Sequence, residues 1–246
     1  MKTTLKGNLV EEERTNTTHG VSGTVKLMIF VKEETGKRIQ VAVKKIPLSK
    51  GGRFVEDFSH ETRFYETVPS HPNICGFYGT IEGNDGVLVL QRLGESLLEK
   101  LRTERSANTA LISPKVPPEF ISVVADGAKA LAHCHLNGFV VCDVHCGNLL
   151  ENKESGCFVF ADFGLAQHIT KQRKTTISTF AGHRRFISPE VCAQKLRHEP
   201  LTAALNPSAD VCELLLLLLF FFFFFSLSHK NKKQKQKQRY DWRNDL

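Results

Sequence analysis

No secretory signal is read between Met1 and Val10, and the seven cysteines follow no regular spacing and form no C-x-x-C pair. Those two absences lead us to expect a reducing, cytoplasmic setting with free thiols. The Asn16-Thr17-Thr18 sequon would then be idle. Also missing is any apolar run of the roughly 20 residues that cross a bilayer. The longest, Leu214 to Phe225, is two homopolymeric blocks that reach Leu227 only if Ser226 is admitted. With its basic flank, 214–227 supports membrane tethering only as an alternative location. An excess of positive charge is absent from the body. The formal net charge is +7, but Lys230, Lys232, Lys233, Lys235, Lys237 and Arg239 crowd into the tail and leave the remainder close to neutral. No nucleic-acid partner is therefore expected for the folded part.

What is present is ordinary for a globular chain of 246 residues, with 41% hydrophobic and 24% charged residues, enough for one domain of two lobes. The most informative stretch runs from Val141 to Gly164. In it VCDVHCGNLL is followed, after a polar break, by CFVFADFG. Asp143 and Asn148 lie between the apolar runs Phe139 to Val141 and Leu149-Leu150, which puts them on a tight loop between strands. Asp162 ends the next short apolar run. Two carboxylates and an amide oxygen on neighbouring strand ends can hold Mg²⁺ and orient a nucleophile against a phosphate.

The rest of the chain supplies further elements in a definite order. Leu9 to Phe30 reads as two strands around THGVSGTV, whose Gly20 and Gly23 permit close backbone approach; taken alone it is an ordinary hairpin turn. In GKRIQVAVKKI, Ile39, Val41 and Val43 alternate with Gln40, Ala42 and Lys44 at the period of a strand. Phe54, Phe58, Glu61, Phe64 and Tyr65 recur at helical spacing, placing Glu61 beside an apolar face before the Pro69 breaker. Two strands follow in HPNICGFYGTIEG and GVLVLQRL, then a short helix from Ser96 to Arg102, a polar loop ending in paired prolines, and a buried helix from Phe120 to Leu136. From Gly164 to Glu190 lies a 27-residue segment with Thr175, Thr176, Ser178 and Thr179, ending in Ser188-Pro189-Glu190. A loop of that length is usually functional.

In this order the elements resemble the eukaryotic protein kinase family: V-C-D-x-x-x-x-N its catalytic loop, D-F-G its magnesium-binding motif, VAVK its third strand, and S-P-E the end of its activation segment. The resemblance implies an α+β, two-lobed protein-kinase-like fold. A small β-rich lobe would span 9–93 and an incomplete, mainly helical large lobe 94–213, between an N-terminal tail (1–8) and a low-complexity apolar block with a basic tail (214–246). It implies ATP and Mg²⁺ as cofactors and a protein substrate. Asp143 would orient the acceptor hydroxyl, Lys44 paired with Glu61 would position the phosphates, and Asn148 and Asp162 would hold the metal. Gly20, Gly23, Val25, Ala42, Leu90 and Leu93 would surround the nucleotide. The implied reaction is transfer of the γ-phosphoryl group to a Ser/Thr, or Tyr, hydroxyl; the alternative is an impaired ATP-binding scaffold. No oligomeric state follows.

The departures from the family pattern are specific. Thr18 stands where the first glycine of the nucleotide loop belongs, Val141 replaces histidine, and His145 replaces the lysine of serine/threonine kinases. Cys142 replaces an arginine that grips a phosphorylated activation loop, so activity should not depend on phosphorylation there, because a thiol makes no charge-assisted bonds. His133, Cys134, His135, Cys142, His145 and Cys146 also invite a zinc reading, but their spacing is loose. Ser208-Ala209-Asp210-Val211-Cys212 is similar to the start of the family's central large-lobe helix, where Asp210 would steady the catalytic loop. Beyond Glu213 the homopolymer blocks do not read as a selected core, and we expect a noncoding or truncated stretch there.

Overall fold

A computed structural model of the chain describes residues 4–11, 18–19, 23–81, 83–106, 118–169, 188–197 and 206–219. Its first half is an antiparallel sheet in the order β1-β3-β4-β6-β5, with the short β2 on β3. The strands are β1 (Gly7–Glu11), β2 (Thr18–His19), β3 (Thr24–Lys32), β4 (Arg38–Ile46), β5 (Phe77–Ile81) and β6 (Gly86–Gln91). Alternation along β4 divides its side chains between two environments. Val41 and Val43 join Met28, Phe30, Val87 and Val89 in one apolar cluster. Ala42 and Ile46 join Leu88 and Leu90 in another, lined by Phe54 and Phe58 of α1 (Arg53–Thr67). Lys44 shares the parity of this second set and therefore points toward α1.

Helix α1 begins after Gly51-Gly52, both at positive φ, and stops at Val68, whose N–H closes on the Phe64 carbonyl at 2.8 Å just ahead of Pro69. The turn that follows is stitched to the second lobe. Cys75 N–H donates to the Phe160 carbonyl at 2.8 Å, Phe160 N–H to the Asn73 carbonyl at 2.9 Å, and the Asn73 side chain to the Phe158 carbonyl at 2.9 Å. Apolar packing spans the same junction: the Phe64 ring of α1 stacks on Phe163 with centroids 3.8 Å apart and meets Phe139 edge-on at 5.2 Å.

The second lobe carries α2 (Leu97–Ser106) and α3 (Pro118–Leu136), the pairs β7 (Phe139–Val140) with β10 (Gln167–His168) and β8 (Leu149–Glu151) with β9 (Phe158–Phe160), and α4 (Pro189–Leu196). The architecture is the expected α+β arrangement of a β-sheet lobe and a helical lobe. Helix α2 runs farther than Arg102, and a reciprocal cap starts it: Ser96 N–H donates to Glu99 at 2.9 Å and Glu99 N–H to the Ser96 hydroxyl at 3.2 Å. The paired prolines do not simply close a loop, since Pro118 occupies the first turn of α3, where its missing N–H costs nothing.

A final described helix, α5, covers 207–219. Asn206 caps it, accepting the Ser208 N–H at 2.8 Å, and Pro207 opens it. The helix crosses the boundary expected at 213/214, and Leu214 and Leu217 lie within the main core beside Val123, Phe139 and Leu149. Leucine is a strong helix former, and a helix of one residue type still has a side that faces its neighbours. Val211, Leu215 and Leu219 lie on the exposed side of α5. The phenylalanine block and the basic run fall outside the described residues. No described helix is long and apolar enough to cross a membrane.

Candidate active site

Lys44 is the meeting point of three elements. Its ammonium, on β4, lies 2.7 Å from a Glu61 oxygen on α1 and 2.6 Å from Asp162 Oδ1 at the end of β9. Lys44 and Glu61 are buried, whereas the Asp162 side chain is 40% exposed. Burial by itself would lower the Lys44 ammonium, but the carboxylates of Glu61 and Asp162 outweigh it and hold it well above its ordinary range. For Glu61 burial works the other way and raises the carboxyl against the pull of Lys44. Burial also opposes ionisation of Asp162, yet Lys44 and the Gly164 N–H, 3.2 Å away, keep it below the usual carboxylate value. The junction of the lobes therefore holds a fixed cation flanked by two carboxylates.

The loop between β7 and β8 brings Asp143 and Asn148 together. The Asn148 amide donates to Asp143 Oδ2 at 3.0 Å and to the Asp143 carbonyl at 3.1 Å. Gly147 N–H donates to His145 Nδ1 at 3.0 Å, which makes that nitrogen an acceptor and turns Nε2 toward Asp143 Oδ2, 3.5 Å away. Among the described residues two that are not glycine are left-handed: Cys142 at φ 64° and Asp162 at φ 69°. Such backbone persists only where the surroundings hold it. Helix α5 provides that hold for the loop. Buried Asp210 accepts the Val141 and Cys142 N–H groups, each at 2.8 Å, and its Oδ2 lies 2.8 Å from His135 Nε2 on α3. One turn on, Glu213 accepts the Val144 N–H at 2.9 Å.

These residues also fit the groups a phosphoryl-transfer site holds. Because Asn148 donates through its amide nitrogen, its oxygen is left as an acceptor, and Asp162 engages Lys44 through Oδ1 and keeps a second oxygen. A carboxylate oxygen and an amide oxygen are the hard donors Mg²⁺ takes. Ala42 opposes Leu90 across β4 and β6, and both pack in one cluster with Leu93 and Ala161, an apolar surface suited to a flat base. Val25 pairs with Lys44 in the β3–β4 register. At Gly23 a Cβ would sit 2.4 Å from the Lys45 carbonyl oxygen, so glycine there lets the backbone lie close against β4. Gly20 lies outside the described residues, as do Thr175, Thr176, Ser178 and Thr179. Among the described residues no group of three His, Cys, Asp or Glu side chains has metal-site geometry.

Two contributors escaped the sequence reading. The Phe64–Phe163 stack is one, since aromatic residues at helical spacing do not reveal their partner. Glu213 is the other. Its spacing from Asp210, one helical turn, was the available signal. Cys142, read for the arginine it displaces, is buried with its thiol toward the Val140 carbonyl at 3.6 Å, and burial pushes the thiol far above its ordinary value. All seven cysteines are free.

Comparison with known proteins gives one family profile, protein kinase domain, matching residues 16–242. Among curated proteins the chain is similar to germinal center kinase 3 of Caenorhabditis elegans, 28% identical over 165 residues that make up 63% of this chain and 27% of the relative. It is similar to serine/threonine-protein kinase PknH of Mycobacterium bovis, 26% identical over 66% of this chain and 26% of the relative. Serine/threonine-protein kinase PrkC of Bacillus subtilis is 23% identical over 63% and 22% respectively. The matched region thus spans about a quarter of each relative.

Proposed function

Because the chain belongs to the protein kinase domain family, we propose that it transfers the γ-phosphoryl group of ATP to a serine or threonine hydroxyl of a protein substrate. The observation that carries this reading is Lys44, bridging Glu61 and Asp162 at 2.7 and 2.6 Å where the two lobes meet. A compact ammonium so held is a fixed point charge for phosphate oxygens. Asp143 accepts and orients the acceptor hydroxyl, and Asn148 holds that carboxylate through its amide. Bound Mg²⁺ would screen the phosphate oxygens, with Asn148 and Asp162 as its protein ligands. Ala42, Leu90 and Leu93 receive the adenine ring beside Val25, and Gly23 lets the backbone approach the phosphates.

Transfer of this kind depends on positioning and charge neutralisation. The bonds that hold Asp143 and Lys44 are therefore as important as the groups themselves. The preference for serine or threonine follows the relatives named as serine/threonine kinases. With Cys142 buried in place of a phosphate-gripping arginine, the activity is independent of phosphate on Thr175, Thr176, Ser178 or Thr179.

The test pairs Mg-ATP-dependent thermal stabilisation with phosphate transfer to a generic protein substrate, for the chain and for Asp143→Asn. We expect both proteins to be stabilised and only the parent to transfer. Stabilisation without transfer by the parent would identify an ATP-binding scaffold instead, and equal transfer by both proteins would remove Asp143 from the reaction.

A further inference from the structure

Asp210 and Glu213 do different things to the loop that carries Asp143. Asp210 takes the N–H groups of Val141 and Cys142, both upstream of Asp143. Glu213 takes the N–H of Val144, which belongs to the peptide plane formed with the Asp143 carbonyl. That plane sets the ψ angle of Asp143, and Asp143 follows a left-handed residue, Cys142 at φ 64°. Glu213 is itself buried, at 5% exposure, on a helix whose next turn is locked into the core by Leu214 and Leu217. An acceptor anchored this way moves little, and the N–H it holds has no water to turn to.

We propose that Glu213 is a positioning residue for phosphoryl transfer: its carboxyl pins the peptide plane between Asp143 and Val144 and so fixes the direction in which Asp143 presents its carboxylate to the acceptor hydroxyl. The inference rests on the kinase reading of Asp143. Charge on Glu213 is not what matters. Burial, together with Asp210 and Asp143, raises its carboxyl to about 8, against the opposing Val144 N–H. An acid protonated on one oxygen still accepts through the other, so glutamine has the required acceptor.

The experiment compares the full chain with Glu213→Ala, Glu213→Gln and, as a control on the exposed side of the same helix, Leu215→Ala. Hydrogen exchange at the Val144 amide reads the anchor, and kcat and KM for ATP and protein substrate read its consequence. In Glu213→Ala exchange should quicken about tenfold or more, the loss of one buried hydrogen bond. The same variant should lower kcat about tenfold while both KM values stay within about twofold, because misplacement of a reacting group acts on the transition state. Glu213→Gln should recover most of both, and Leu215→Ala should match the parent.

Unchanged Val144 exchange in Glu213→Ala overturns the inference whether or not the parent turns over. A kcat loss equally severe in Glu213→Gln, or a loss carried by KM, also overturns it. If the parent transfers no phosphate at all while binding Mg-ATP, it is the proposed function that fails, and with it the catalytic role of Glu213, even where the exchange result confirms the anchor.

Discussion

Replacing Asp210 by alanine removes the acceptor for three donors at once, and its effect can be sized from the geometry. The N–H groups of Val141 and Cys142 are buried and bond to Asp210 at 2.8 Å, while His135 is partly exposed and can turn to water. Leaving a buried donor unsatisfied costs about 1–3 kcal/mol, so two donors set the loss near 4 kcal/mol. That is a large fraction of the roughly 5–15 kcal/mol that holds a domain folded. With a urea dependence of about 2–3 kcal/mol/M, the midpoint of unfolding by circular dichroism should fall by about 1.3–2 M at unchanged slope. Asp210→Asn keeps one acceptor oxygen and should lose about half as much. A shift below about 0.3 M for the alanine variant would mean that the loop stands without α5, and the account of how Asp143 is held would be wrong.

Three further outcomes follow from the same contacts. Leu217→Ala should cost about 2–5 kcal/mol by leaving a cavity in the main core, and exposed Leu215→Ala within about 0.5 kcal/mol; equal midpoints in urea would show that the leucine run does not pack as described. Lys44→Met strands buried Glu61 and should lower stability by about 3–5 kcal/mol, most of it recovered by adding Glu61→Leu; a double variant no more stable than the single one contradicts this. Glu213 gives a pH signature. Its folded value of about 8 lies above the ordinary 4.5, so between them the native state holds the extra proton and stability falls as pH rises, with the contribution lost above 8. At about 1.4 kcal/mol per unit the effect reaches a few kcal/mol, and Glu213→Gln should gain on the parent in melting temperature from pH 5 to 8.5. A constant gap between the two across that range refutes it.

How much of this was legible beforehand depends on the distance over which each feature is decided. Strand alternation around Val41 and Val43, the helical spacing through Glu61 and the turn chemistry of Gly23 are local, so their elements could be read from the letters. Element ends were less legible: α2 passed Arg102 and Pro118 began a helix, because a capping pair and a tolerant first turn are settled by a few bonds. The leucine run was misleading for a related reason. Homopolymer composition looks unlike a core, but whether Leu214 and Leu217 pack depends on Val123, Phe139 and Leu149, residues far away in the chain.

Residue types and their order along the chain determined which chemistry was available here: a lysine, three carboxylates and an amide in the sequence of a kinase domain. Only the tertiary structure decided that Lys44 meets both Glu61 and Asp162, that Phe64 lies on Phe163, and that Asp210 and Glu213 grip the loop bearing Asp143. Those contacts join residues up to 118 positions apart. Hydrogen bonds and buried charges act over a few ångströms, and proximity of that kind is fixed by how the sheet, α1 and α5 pack, not by neighbours in the chain.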